Sequence, residues 1–236
     1  MTTSNFSAGR DVAIVGFAQT KHVRAADTLS EVELIQPVIA EVMDQVDLDH
    51  HGFDFYCSGS SDYLAGQAFS FVMTLDAIGA WPPVAESHVE MDGAWALYEA
   101  YLKIRSGHAD TALVYGYGKS SPGDLPRVLS RMCEPYYTAP LWPTSVELAA
   151  LQARACIEAG VTSEAEMAKV AARSRRSARN NPNAQLAWDG SAADVLAGDY
   201  VADPLRRDDC APITDGGAAI VLASPAPAAA SCSRPA

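Results

Sequence analysis

The sequence predicts an α/β fold, and three observations carry that reading. Short apolar, β-branched runs such as Asp11 to Phe17 and Thr111 to Tyr115 alternate with longer stretches of helical period. One continuous stretch, Val84 to Gly118, reads as strand, buried helix and strand. At 236 residues, 49% hydrophobic and 19% charged, the chain can bury a full core.

The same composition excludes several functions. A formal net charge of −12 opposes non-specific nucleic-acid binding and attraction to an anionic membrane surface. No run reaches the roughly 18 apolar residues of a membrane span. The N-terminus has no charged segment leading into an apolar one. Cys57, Cys133, Cys156, Cys210 and Cys232 are odd in number and scattered, with no CxxC pair. Neither a disulfide framework nor a zinc knuckle is indicated, and a reduced, cytoplasmic protein is expected.

Residues 1–10 are small and polar and should fray. Asp11 to Phe17 is a buried-strand pattern closed by Gly16. Thr28-Leu29-Ser30-Glu31 reads as a capping box opening a helix to about Val46, with Leu34, Ile35, Val38, Ile39, Val42 and Met43 inward. Pro37 predicts a kink there or a later start. His50 and His51 lie near Asp47 and Asp49, but adjacent residues point apart and no spaced partner follows. A solvated loop is the reading, and no metal site is expected. Phe53 to Cys57 is a second strand running into a Ser58-Gly59-Ser60-Ser61 loop. Without a GxSxG elbow, Cys57 reads as a small core residue rather than a nucleophile. Phe69 to Leu75 is a short apolar helix.

Val84 to Val89 follows paired prolines and is extended in character. From Met91 to Ser106 runs a helix with apolar residues around most of its circumference, Trp95, Tyr98 and Leu102 among them; such a helix belongs in a core. Gly107 stops it. Thr111 to Tyr115 is the next strand, ending in Gly116-Tyr117-Gly118. That glycine turn lacks the spacing of a phosphate loop and reads as structural. The junction Glu90-Met91-Asp92-Gly93 holds the chemistry. Unpaired N–H groups and the helix dipole favour an anion or an activated nucleophile there. Glu90 and Asp92 are the candidate anions, and Gly93 permits close approach.

Residues 119–143, with five prolines and Tyr136, Tyr137 and Trp142, read as a long irregular insertion. Such a segment covers a pocket, or its aromatics pack it down. Thr144 and Glu147 cap a helix ending at Gly160, and Ser163 and Glu166 cap another reaching Asn180. Arg173, Arg175, Arg176 and Arg179 complement the second helix's dipole without a ligand. From Ser224 the sequence SPAPAAASCSRPA has no periodicity and should form no core element.

Several of these segments resemble the thiolase-like superfamily, in its sterol-carrier-protein-x or lipid-transfer-protein branch. Gly93-Ala94-Trp95-Ala96-Leu97, Gly107-His108-Ala109-Asp110 and Thr111 to Gly116 match its nucleophile-bearing segment. Asn181 to Ala184, Val201 to Leu205, Asp209 to Pro212 and Asp215 to Leu222 match further on. The resemblance implies a thiolase-like half-fold over residues 11–223, a five-stranded mixed sheet with helices on both faces. It leaves 224–236 as a disordered, non-native tail.

In that family the segment bears an acylated Cys, and counting back from Gly93 puts Glu90 in its place. A carboxylate there would give a labile mixed anhydride, so ordinary thiolase activity is not expected. Relatives without the Cys include retro-aldol lyases of steroid side-chain breakdown that dock an OB-fold partner binding the acyl-CoA. The resemblance therefore implies a CoA thioester of a lipid or steroid acid as substrate, with no bound cofactor. It implies an OB-fold partner, and a homodimer pairing through the edge strand at Val84 to Val89. Glu90 is either a general base or a cap on the following helix. His88, Met91, Asp92, Gly93 and Tyr117 are the candidate substrate-binding residues around it. The family's second half, with its Gly-His-Pro motif, has no counterpart here. The chain is read as one of two halves, truncated or frame-shifted, inactive alone and exposing the face that would pack on its twin. The alternative is a non-catalytic subunit or scaffold.

Overall fold

A computed structural model describes residues 9–66 and 68–232. Most of the fraying expected of residues 1–10, and the last four residues of the tail, lie outside them. In chain order the elements are β1 (Ala13–Gln19), α1 (Glu31–Val46), β2 (Phe55–Ser60), α2 (Asp62–Ala65), β3 (Glu86–Glu90), α3 (Gly93–Arg105) and β4 (Thr111–Gly118). Then follow α4 (Leu125–Arg131), α5 (Ser145–Glu158), α6 (Glu164–Ser177), α7 (Ala192–Leu196), β5 (Tyr200–Ala202), β6 (Leu205–Arg206), β7 (Gly216–Ala223) and α8 (Pro225–Ser231). A 3₁₀ helix at Ser70–Ile78 links α2 to β3. Among the described residues no helix is long and apolar enough to cross a membrane.

The chain forms two compact units rather than the single domain with an insertion that the sequence predicts. One comprises the residues up to Thr20, Ala26–Lys119 and those from Asp215; the other is Lys21–Ala25 with Ser120–Thr214.

The first unit is built on a five-stranded sheet of order β1-β7-β4-β2-β3. β2 runs parallel to both β3 and β4, while β7 is antiparallel to β1 and β4. The sheet is mixed and covered on both faces, as expected. Strand alternation sorts the side chains. Tyr56, Leu113, Tyr115 and Val221 meet Ile35, Val38, Ile39 and Val42 of α1. Phe55, Cys57, Ala112, Val114 and Leu222 meet Ala96, Ala100 and Ile104 of α3.

The cap of helix α1 lies two residues later than the Thr28 and Glu31 box of the sequence reading. Its capping box is Ser30 with Glu33: Glu33 Oε2 accepts the Ser30 N–H at 2.7 Å and Ser30 Oγ accepts the Glu33 N–H at 3.3 Å. Pro37 lies inside the helix, so no later start is forced. Strand β2 is longer than expected and takes in Ser58, Gly59 and Ser60, all buried. These three residues are therefore strand, not loop, because β3 and β4 pair with both edges of β2 through Gly59.

The prediction that α3 is buried all round needs correction. It buries only Ala96, Ala100 and Ile104, while Trp95, Tyr98 and Leu102 are 52%, 54% and 45% exposed. A single sheet face can cover only one stripe of a helix, and α3 sits low on small residues. A Cβ at Gly59 would stand 2.3 Å from the Asp92 carbonyl oxygen, so the first turn rests directly on the β2 backbone.

The expected disordered tail is also overturned within the described residues. Pro225–Ser231 is helical, and Ala228 is buried in the main core beside β1 and β7 residues. Pro225 and Pro227 fall in the first turn, where N–H groups have no intrahelical partner, and alanines extend it. Ser224 ties its start to Asp110, N–H to carbonyl at 2.8 Å and Oγ to Oδ1 at 2.9 Å.

The second unit is mainly helical. Residues 119–143, expected to be irregular, include α4, begun by Asp124, and a 3₁₀ turn at Ala139–Leu141. Tyr136 and Tyr137 are 82% and 83% exposed, so they do not pack that segment down. Helices α5 and α6 start at the caps the sequence announces, Thr144 and Ser163. Ala168, Ala172 and Val195 form a small core. Beside it Arg206 reaches Glu164 Oε2 at 2.6 Å and donates to the Tyr200 hydroxyl at 2.9 Å. The arginines of α6 have partners beyond the dipole: Arg176 and Arg179 pair with Asp189, and Arg175 donates to the Cys210 carbonyl.

Candidate functional site

The junction between β3 and α3 is built by alternation along the edge strand. In the β2–β3 register, Ser58 lies opposite His88 and Ser60 opposite Glu90. His88 and Glu90 therefore share the α1 face with Ser58 and Ser60, and Val89 points to the α3 face and joins its core. Glu90 is thereby turned away from α3 and does not cap it. Its carboxylate accepts the N–H of Asp62, at 2.9 and 3.1 Å to its two oxygens, where α2 begins. The cap on α3 is Asp92, whose Oδ1 accepts the N–H groups of Ala94 at 2.9 Å and Trp95 at 3.2 Å.

Between these two carboxylates Met91 is 63% exposed and has φ 150°, a backbone region that favours glycine. Gly93 permits an approach, as its sequence position implies, but the approaching group is the sheet. A Cβ there would lie 3.7 Å from the Gly116 Cα.

His88 is the centre of a polar cluster. Its Nδ1 is 3.0 Å from Ser58 Oγ, and its ring stacks on Phe71 with centroids 4.6 Å apart. Nε2 is buried with no hydrogen-bond partner among the described residues, and Glu90 Oε2 lies 3.7 Å from it. Leaving a buried polar nitrogen unpaired costs about 1–3 kcal/mol. Ser58 and Thr74 hydrogen-bond Tyr115, whose hydroxyl is pushed up to about 12, chiefly by burial. Asp62 closes the cluster. Its two oxygens accept the N–H groups of Phe69 and Ser70, each at 2.7 Å. Those bonds, Ser70's first, hold its carboxyl below the ordinary range. Donor atoms of Asp62, His88 and Glu90 all lie within 4.8 Å of one another, so these are the residues that could hold a cation.

The structure thus brings His88 and Glu90 together and adds Asp62, Ser58 and Phe71, which sequence reasoning missed. It uses Asp92 as a cap. Tyr117 is buried, and its hydroxyl donates to the Ser70 carbonyl at 2.8 Å instead of facing an open site. The His-x-Glu alternation of β3 was the legible signal. Asp62 carried only the Ser-Asp pair of an ordinary helix start.

Burial first, then Glu99, pushes the Cys57 thiol up to about 12. Burial also raises that of Cys210. Neither is a ready thiolate. The second unit contains a cavity of about 560 Å³ lined in part by Met167, Val170, Leu186 and Leu205.

No family model matches the chain. It is 28% identical over 219 residues to the acetyl-CoA acetyltransferase of Methanothermobacter thermautotrophicus, covering 90% of this chain and 57% of that protein. Against the acetyl-CoA acetyltransferase of Methanocaldococcus jannaschii it is 30% identical over 223 residues, covering 90% and 55%. Human sterol carrier protein 2 is 26% identical over 231 residues, covering 92% and 42%. The chain spans about half the length of the curated relatives it matches. Among solved structures, an Ltp2-ChsH2(DUF35) aldolase superposes with a TM-score of 0.78 at 20% identity, covering 98% of this chain and 60% of that one. A monomeric SCP2-thiolase like protein type 1 from Mycobacterium smegmatis gives 0.62 at 19% identity, covering 90% and 45%. These two likenesses concern the fold. In sequence and in fold the chain is thiolase-like, with similarity reaching the sterol-carrier branch.

Proposed function

We propose that the chain is a thiolase-like component of acyl-CoA metabolism that handles the CoA thioester of a lipid or steroid acid without a cysteine acyl-enzyme. One observation supports this reading: counted back from Gly93, residue 90, where the resemblance puts the family's nucleophile, is a glutamate, and burial raises the Cys57 thiol. A half-exposed carboxylate beside an imidazole is suited to moving a proton. In a retro-aldol step Glu90 takes the proton of a β-hydroxyl. The Cα–Cβ bond then breaks, its electron pair moves to the thioester enolate, and the enolate is protonated at Cα. No cofactor is required. The substrate is presented by an OB-fold acyl-CoA-binding partner, in a cytoplasmic assembly whose homodimer contact is the β3 edge. The fold likeness to the Ltp2-ChsH2(DUF35) aldolase supports the partner.

The test is acyl-CoA turnover by purified protein, alone and with such a partner, scoring thiolysis and retro-aldol release separately. Retro-aldol release is expected only with the partner, falling about 10²–10⁴-fold in Glu90→Gln. Thiolysis would overturn the reading.

The exposed aromatic face of α3 favours a second reading, a non-catalytic subunit or scaffold. A folded sample that binds the partner and turns over neither substrate class would establish it.

A further inference from the structure

We propose that Asp62, His88 and Glu90 form a binding site for a first-row divalent cation, with zinc or cobalt as the fitting ions. A cation bound there would withdraw the Glu90 carboxylate from proton transfer, so the site is read by metal binding and not by turnover. The topology makes the site: His88 and Glu90 stand two residues apart on one face of the edge strand β3, and Asp62 begins α2 immediately after β2. That arrangement converges one nitrogen and two carboxylates, with donor atoms within 4.8 Å of one another.

The imidazole distinguishes this cluster from an exposed group of acids. The His88 side chain is only 13% exposed, and its Nε2 is buried without a hydrogen-bond partner among the described residues. Ser58 Oγ lies 3.0 Å from Nδ1. With Nδ1–H donating to Ser58, the Nε2 lone pair is left free toward the two carboxylates. This tautomer is the one in which Nε2 can ligate a metal. In the opposite tautomer Nε2 would carry the proton, yet Glu90 Oε2 lies 3.7 Å from that nitrogen, beyond hydrogen-bond length.

The carboxylates are held as ligands are held. Backbone N–H groups of Phe69 and Ser70 fix Asp62, and the N–H of Asp62 fixes Glu90. Each oxygen keeps a lone pair beyond those bonds. Phe71 stacks on the imidazole and restricts its rotation. One imidazole with two carboxylates suits zinc, cobalt or manganese, and three protein ligands leave a position for water.

The experiment uses the full chain stripped with chelator and titrated with Co²⁺, followed by visible ligand-field absorption and by calorimetry, with Zn²⁺ in competition. Saturable binding of one cation per chain is expected. His88→Gln should abolish the cobalt spectrum, while His51→Gln, at an exposed loop histidine, should leave it intact. Ser58→Ala should weaken affinity about 10–100-fold through loss of the bond that orients His88. Circular dichroism checks each variant's fold. Should His88→Gln not fold, Glu90→Gln at the half-exposed ligand replaces it, with a loss of at least about tenfold expected. Absence of a saturable cobalt signal, or binding unchanged in His88→Gln or Glu90→Gln, would overturn the site.

Discussion

On one face of the sheet, α1 turns Ile35, Ile39 and Val42 inward with no exposed surface. On the other, α3 turns Ala96 and Ala100 inward and leaves Trp95 and Tyr98 about half exposed. Both helices are rich in apolar residues; the arrangement differs. The apolar residues of α1 fall on one stripe, so contact with the sheet completes their burial. Those of α3 ring the helix, and the sheet receives only the stripe Ala96, Ala100 and Ile104. One face is closed by its own helix, and the other presents apolar surface of the kind that marks an interaction site.

The largest expected effect tests this asymmetry. Ile39→Ala should destabilise the protein by about 2–5 kcal/mol, because a cavity opens in a packed core. Tyr98→Ser on the outer face of α3 should stay within about 0.5 kcal/mol. Urea unfolding of the two variants makes the comparison, and equal losses would break it.

The two carboxylates flanking Met91 repeat the contrast at closer range, because Glu90 serves the α1 face and Asp92 serves α3. Asp92→Ala should cost about 0.5–2 kcal/mol through the lost cap. Glu90→Gln keeps an acceptor for the Asp62 N–H and should change stability by less than about 0.5 kcal/mol. The reverse order in thermal unfolding would mean that Glu90 is the cap after all.

The smallest effect concerns pH. The N–H groups of Ser70 and Phe69 depress the Asp62 carboxyl, so its contribution to stability is present above the unfolded value near pH 4. It should fade as pH falls through the folded value. The stability difference between wild type and Asp62→Asn should therefore be constant at neutral pH and shrink toward the acid end. A difference that grows on acidification would contradict the assignment.

Much of the fold was legible in the chain. The stripe Leu34, Ile35, Val38, Ile39, Val42 and Met43 is buried as its spacing implies, and Thr144 and Ser163 cap the helices they announce. The site was legible in part. His88 and Glu90 share a face because strand alternation is a local property. Asp62 reaches Glu90 across 28 residues of sequence, a contact set by β2 and β3 lying side by side. The tail was misread for a different reason. Its prolines look like breakers, yet at the first turn of α8 they break nothing, and Ala228 is held by packing.

The sequence by itself determined the periods, the caps of α5 and α6 and the order of strands and helices. These are local, because backbone sterics and side-chain spacing act over a few residues. Only the tertiary structure decided which stripe of α3 the sheet covers, which carboxylate caps it, and that His88 Nε2 is buried toward Asp62 and Glu90. Each of those outcomes depends on which surfaces meet, and burial and electrostatics take their values from neighbours distant in the chain.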